Sequence, residues 1–382
     1  MLEYMWLIMV LTNIVIIFTE GKMKKLLSLL VVLFAALMLV ACGNKTYEIA
    51  VVTDVGQLND GGFNQGTYEG AVAYAKEHKI SYKYYQPANG ADATDNDRIA
   101  AMRQAIENGA KVIVTPGFLQ AEAISTVAKE SPEVKFIFID GWQLGFDNVT
   151  AVSYKEEESG YLAGYAAVMD GYTKLGGTFG GGGSNAACNR FAYGYVQGIA
   201  AAAKVKGITP EVKISFQYGA SFSSSPELQT QIAGWYAAGT EVVFSCGGSM
   251  LQSVKAAAAE TANGKIIGVD VDQSAESDRI ITSAVKGLAA SVQKILGELY
   301  DGKWDTKLAD QCSNLGAADD ATGLPTATWR LQNFTKADYE ALFAKVKAGQ
   351  VAIDSQTAAD MNAASVWADI QAALGNVTIK FE

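Results

Sequence analysis

The sequence predicts an α/β protein of two similar doubly wound lobes, each a parallel sheet covered by helices, joined by a hinge. Three observations lead there. Short apolar, β-branched runs alternate with helix-length stretches, the pattern of strands buried on both faces. The pattern then recurs: Gly109-Ala-Lys-Val-Ile-Val-Thr115 parallels Gly239-Thr-Glu-Val-Val-Phe-Ser245, Phe136-Ile-Phe-Ile-Asp140 parallels Ile266-Ile-Gly-Val-Asp270, and Phe63, Gly66 and Gly70 parallel Phe191, Gly194 and Gly198. An offset of about 128–130 positions thus aligns a first β–α turn, a third strand and a fourth strand in two halves, the mark of an internal repeat. Finally, residues 42–382 are long enough for two ordinary domains.

The elements follow in order. Glu48–Thr53 is a β-branched strand, and Asn64–Glu77 is a helix rich in Ala and Tyr. Ser81–Gln86 is strand-like, and Asp97–Asn108 has helical spacing through Ile99, Met102 and Ile106. Lys111–Thr115 is a strand, Ala121–Lys129 a helix and Phe136–Asp140 a strand. In the second half, Val212–Gln217 and Ile280–Val285 are strands, and Lys286 to Tyr300 is a helix. The tail from Gly302 holds a loop of small residues and a helix around Ala337–Lys347, with Thr335 as N-cap and Gly349 as stop. The expected division is residues 47–150 plus about 286–310 in one lobe, and 151–285 plus about 311–382 in the other.

The N-terminus carries an export signal. Lys22, Lys24 and Lys25 precede an apolar run from Leu26 to Val40, which ends in Leu39-Val40-Ala41-Cys42. The run is too short, and wrongly flanked, for a membrane span. A Cys after a small residue resembles the lipobox of bacterial lipoproteins, in which the thiol is acylated and the chain is cut before it. Residues 1–22 read as an upstream misreading, with translation beginning at Met23, residues 23–41 as signal peptide and 42–46 as a lipid-anchored tether.

Composition excludes several classes. The net charge of −10 gives no basic face for nucleic acid. The single histidine, His78, lies in a charged helix end, away from any Ser or Cys nucleophile in a recognisable motif. Gly181-Gly-Gly-Ser-Asn-Ala186 fits a dinucleotide-binding glycine pattern, but the next strand offers no acidic residue for a ribose hydroxyl. Asp54 and Asp60 would be the pair to watch for a secreted carboxylate-dependent hydrolase. Beyond Cys42, the cysteines Cys188, Cys246 and Cys312 allow at most one internal disulfide; they read best as small buried hydrophobes. No cofactor or metal is expected.

Ligands of open α/β sheets bind at the carboxyl ends of the strands. The segments there are Thr53–Gln65, Thr115–Phe118, Asp140-Gly141-Trp142, Tyr218–Phe222, Cys246–Gly248 and Gly268–Gln273, with Lys286 following Thr282-Ser283. Rings, carboxylates and one lysine suit a flat heterocycle, which stacks on aromatic side chains, joined to a sugar whose hydroxyls pair with carboxylates and an ammonium.

Thr53-Asp-x-Gly with Asn59-Asp-Gly-Gly-Phe-Asn-Gln65, Gly268-Val-Asp-x-Asp-Gln273, Thr282-Ser-x-x-Lys286 and Arg190-Phe191 with Gly198 resemble signatures of the basic membrane protein family of bacterial substrate-binding lipoproteins. Its best understood type is the purine nucleoside receptor of ABC importers. The resemblance implies a type I periplasmic-binding-protein-like, Venus-flytrap fold and no enzymatic activity. It implies a protein anchored by lipid at Cys42 on the extracytoplasmic face of the cell membrane that serves an ABC permease and ATPase; a monomer is expected. By position, Phe63 and Phe222 would sandwich the base, Asn59 and Asp60 would hydrogen-bond it, and Asp270 and Lys286 would hold the ribose. Gly247 or Gly248 would let backbone approach the ligand, and Asp140 would add a contact at the lobe boundary. Gly61-Gly62 replaces the family's common Lys-Ser, and Trp142 would add or replace a stacking surface. A ligand-binding lipoprotein for sugars or another small ligand, serving sensing, is the alternative.

Overall fold

The computed structural model describes residues 46–54, 58–208, 212–358 and 360–382; the export signal and Cys42 lie outside them. The first half supplies β1 (Ile49–Val52), α1 (Phe63–Glu77), β2 (Tyr82–Tyr85), α2 (Asp95–Glu107), β3 (Val112–Pro116), α3 (Ala121–Glu130), β4 (Lys135–Ile139) and β5 (Val149–Tyr154). The second supplies α4 (Glu156–Asp170), β6 (Lys174–Phe179), α5 (Ala186–Lys206), β7 (Val212–Tyr218), α6 (Pro226–Ala237), β8 (Val242–Cys246), α7 (Met250–Ala259), β9 (Lys265–Asp270) and β10 (Ile280–Lys286). The tail adds α8 (Leu288–Tyr300), β11 (Gln311–Leu315), β12 (Thr322–Gly323), α9 (Lys336–Lys347), α10 (Ala364–Leu374) and β13 (Val377–Phe381).

Two sheets result. One runs β2-β1-β3-β4-β5-β11 and is parallel throughout; the other runs β13-β7-β6-β8-β9-β10-β12, parallel except for β12. Within each, five strands follow the doubly wound order 2-1-3-4-5. The offset of 130 superposes β3 on β8 and β4 on β9. Strands such as Phe136–Ile139 and Val242–Phe244 are fully buried, as expected between two helical layers.

The chain crosses between sheets three times, after β5, after β10 and after β11. The first sheet extends to Tyr154 and Leu315, a few residues past the expected crossings at 150 and 310. The reason is pairing: β11 lies parallel to β5, from Gln311 opposite Thr150 to Leu315 opposite Tyr154. After the first crossing, α4 packs on α5 through Gly160, Gly164, Gly194 and Gly198. A β-carbon at Gly198 would strike the carbonyl of Tyr161, and one at Gly160 that of Phe191, so the two backbones touch and only hydrogen fits between them.

Caps match the sequence reading where local chemistry decides. Thr335 caps α9 in a reciprocal pair with Asp338, and Gly349 has φ +67° just past the helix. The loop-rich tail also contains α10 and β13, which local pattern did not reveal. β13 pairs with β7, some 160 positions earlier, and Trp367 of α10 is buried with its ring 4.0 Å from Phe216. That ring closes an aromatic cluster with Phe179, Tyr218 and Phe381. Trp367→Ala is expected to cost about 3–5 kcal/mol, read as a lower urea midpoint.

Candidate ligand-binding site

A cavity of about 420 Å³ lies between the carboxyl ends of the two sheets, lined from both, within the size range of small-molecule sites. Its charged floor is built around Lys286, the last residue of β10. Lys286 is buried, with Nζ 2.5 Å from Asp140 Oδ2, 3.2 Å from Asp270 Oδ1 and 3.9 Å from Glu156 Oε1. It also lies 4.7 Å from the centroid of the Phe63 ring, a cation–π distance. Burial alone would favour the neutral amine, but the three carboxylates outweigh it and hold the ammonium well above its usual range. Burial pushes Asp270 up to about 6 against the pull of Lys286. It pushes Glu156 up to about 7, although Arg190 Nε bonds Glu156 Oε2 at 2.6 Å.

Asp140 and Asp270 occupy equivalent places after β4 and at the end of β9. Both adopt left-handed backbone, φ +56° and +68°, a conformation Asp tolerates better than most residues. Each turn thereby aims a carboxylate at the shared ammonium. Asp140 Oδ1 is buried and has no hydrogen-bond partner among the described residues, leaving an acceptor for a ligand.

The other expected residues divide. Asn59, Asp60, Phe63, Phe222, Gly247 and Gly248 all line the cavity. Asp60 is largely engaged already: its oxygens accept from the backbone N–H of Gly62, Asn64 and Gln65 and from Asn64 Nδ2, anchoring the start of α1. Its carboxyl is raised by burial, against those hydrogen bonds. Gly247 and Gly248 have φ +147° and +43°, and the space a β-carbon would take at either is bordered by Phe222. Their first role is therefore to seat that ring. Trp142 does not reach the cavity; it is 48% exposed and packs on Phe138, ring centroids 5.4 Å apart. After Asp140 the chain turns back onto β5, with Gly141 N–H donating to Val152 O, which carries residue 142 away.

Several lining residues escaped the sequence reading as site residues. Phe118, after β3, faces Phe222 of the other lobe with ring centroids 6.3 Å apart. Asn185 caps α5, accepting from Cys188 N–H at 2.8 Å, and stands with Cys188 and Phe191 on the cavity wall. Asn64, Gln86, Gln252 and Cys246 also line the cavity, as do Asp54 and Ser249. A capping Asn before a long helix at a strand end was the available signal for Asn185; Phe118, Asp54, Asn64 and Cys246 lie in the strand-end segments singled out from the sequence, and the others depend on three-dimensional approach. Glycines 181–183 do not line the cavity: Gly182 N–H is used by Gly219 O, and Gly183 O accepts from Met361 N–H and Asn189 Nδ2. His78 stacks on Tyr74 at the surface. Across the lobes, Gln273 Nε2 donates to Gly61 O at 2.9 Å.

The family profile described as "ABC transporter substrate-binding protein PnrA-like" matches residues 47–348. The nucleoside-binding protein BmpA of an ABC transporter in Lactococcus lactis is 31% identical over 67% of this chain and 76% of its own length. Basic membrane protein B of Borreliella burgdorferi is 26% identical over 74% and 82%. Among solved structures, a solute-binding protein of an ABC transporter system from Aeropyrum pernix superposes with TM-score 0.72 at 21% identity, covering 86% of this chain and 98% of that one; at that identity the likeness speaks for the fold. Two matched lobes, a lined cleft between them and a profile spanning most of the chain agree: this protein belongs to the PnrA-like, basic membrane protein family of ABC transporter substrate-binding proteins, extracytoplasmic receptors rather than enzymes.

Proposed function

We propose that the protein captures nucleosides, purine nucleosides foremost, and presents them as a monomer to the permease and ATPase of an ABC importer, held at the membrane by acyl chains on Cys42. The observation that carries this reading is the pairing of a charged floor, Asp140, Lys286 and Asp270, with the rings of Phe63, Phe118 and Phe222 in one cavity. Hydroxyls of a ribose can donate to the two carboxylates and accept from the ammonium. The rings offer stacking faces for a base, and the amides of Asn59, Asn64 and Asn185 suit its polar edge. The name of the Lactococcus relative supports the same ligand class.

Closure follows from where these groups sit. Asp140 and Phe63 belong to the first lobe, and Asp270, Lys286 and Phe222 to the second. A ligand held by both lobes favours the closed arrangement through its extra contacts there.

Three outcomes test the proposal. Asp270→Ala should nearly abolish nucleoside binding in calorimetry while the protein stays folded; unchanged affinity would remove Asp270 from the site. Phe63→Ala should cost about 1–3 kcal/mol of binding if the ring stacks, alike for ribosides and deoxyribosides; a loss confined to sugar-modified ligands would point elsewhere. The pH dependence runs in two directions. Because the Asp270 carboxyl titrates near 6 in the fold, affinity should fall as pH drops from 7 to 5 and the ionised acceptor is lost, a trend flattened in Asp270→Asn. The raised value also means the folded state holds this proton more tightly than the unfolded chain. Its contribution to stability is therefore full below the ordinary carboxylate range and is lost as pH rises through about 6; ligand-free melting of wild type against Asp270→Asn measures that.

A further inference from the structure

Two thiols meet in the cavity wall. Cys188 stands in the first turn of α5 and Cys246 at the end of β8. Both line the cavity, both are almost fully buried, and their sulfurs lie 4.0 Å apart as free cysteines. Packing as small hydrophobes accounts for their burial, but not for two sulfurs facing each other beside the ligand space. A disulfide spans about 2.0 Å between sulfurs, so closing the pair needs a shift of roughly 2 Å shared by the two residues. Extracytoplasmic compartments are where such bonds form and persist.

We propose that Cys188 and Cys246 form a redox-active dithiol in the cavity wall, which closes to a disulfide by exchange with a low-molecular-weight disulfide and thereby weakens ligand binding. Cys188, as thiolate, attacks one sulfur of the oxidant R–S–S–R, forms a mixed disulfide and releases R–S⁻. Cys246 then passes its proton to the released thiolate and attacks Cys188 Sγ, displacing the second R–S⁻, which takes up the proton given by Cys188. Two protein thiols are oxidised and one external disulfide is reduced to two thiols. The order of attack follows from burial. Cys246 is the more deeply buried sulfur, and burial holds its thiol well above the usual range, so Cys188 is the first to meet the oxidant and Cys246 takes the internal step.

The consequence for the ligand is mechanical. Cys246 leads directly into Gly247-Gly248, the turn against which Phe222 is seated, and the Cys188 N–H holds the Asn185 side chain. Drawing the sulfurs together shifts both walls. The thiols are reached through the cavity, so a bound ligand and the oxidant exclude each other, and the coupling is reciprocal. The affinity half of this proposal rests on the nucleoside reading; the thiol half does not.

The test uses the full chain carrying Cys42→Ser and Cys312→Ser, so that only the two cavity thiols remain. Treatment with oxidised glutathione should remove both titratable thiols, lower the mass by two hydrogens without an adduct, and yield a cross-linked peptide pair containing Cys188 and Cys246. Affinity for inosine should fall about tenfold, the scale of a disturbed stacking contact, and return with dithiothreitol. A further Cys246→Ser change should halt the reaction at a glutathione adduct on Cys188, and saturating inosine should slow oxidation. Persistence of both thiols, or a cross-link that leaves inosine affinity unchanged, overturns the proposal. If the reduced protein fails to bind inosine at all, the nucleoside reading falls, while the thiol count and peptide pair still decide whether the dithiol exists.

Discussion

Burying the ammonium of Lys286 would cost several kcal/mol in isolation, and the architecture of the cleft follows from how that charge is compensated. Asp140 arrives from the end of β4, Asp270 from the end of β9 and Glu156 from the first turn of α4. One cation thus draws the carboxyl ends of both sheets and a crossing segment to a single point. Glu156 is in turn held by Arg190 of α5, so the charge cluster reaches into the helix pair at the crossing. The charge cluster of the cleft and the first crossing therefore share Glu156 and Arg190.

The internal repeat explains how one lysine comes to be flanked so evenly. Asp140 and Asp270 are counterparts at an offset of 130, as are Gly117 and Gly247, all four in left-handed or otherwise positive-φ turns. The helices after the fifth strands are exchanged: α4, following β5, packs on α5, while α8, following β10, packs on α1 through Gly66 and Gly70. Glycine contacts recur 128 positions later on α5, at Gly194 and Gly198. Each lobe is therefore completed by a helix that follows the other lobe's sheet, and the crossings lie close together at the base of the cleft. Around the cavity the lobes meet through Asp140 with Lys286, Gln273 with Gly61 and Phe118 with Phe222. A ligand that adds contacts to both lobes would favour the closed arrangement.

Local sequence chemistry determined a great deal of this protein. Apolar runs bounded by Gly and Asp marked the central strands, and the repeated strand-end motif marked Asp140 and Asp270 as counterparts before any geometry was known. Thr335 and Gly349 bounded α9 because caps act within one helical turn. Asn59, Asp60, Phe63, Phe222, Asp270 and Lys286 lay in or beside strand-end segments legible in the sequence, and the family resemblance singled them out within those segments. Tertiary structure alone decided what those residues do with their hydrogen bonds and charges. It spent the Asp60 carboxylate on the N-terminus of α1, turned Trp142 out to solvent through the Gly141–Val152 bond, and brought Phe118 opposite Phe222. It added β13 to β7 and buried Trp367 there, across a separation that no periodicity reports. It also set two cysteine sulfurs 4.0 Å apart in the cavity wall. The division has one physical reason: strand, helix and cap preferences are settled by neighbours a few positions away, whereas burial, ion pairing and ring packing depend on which distant segments the completed fold brings into contact.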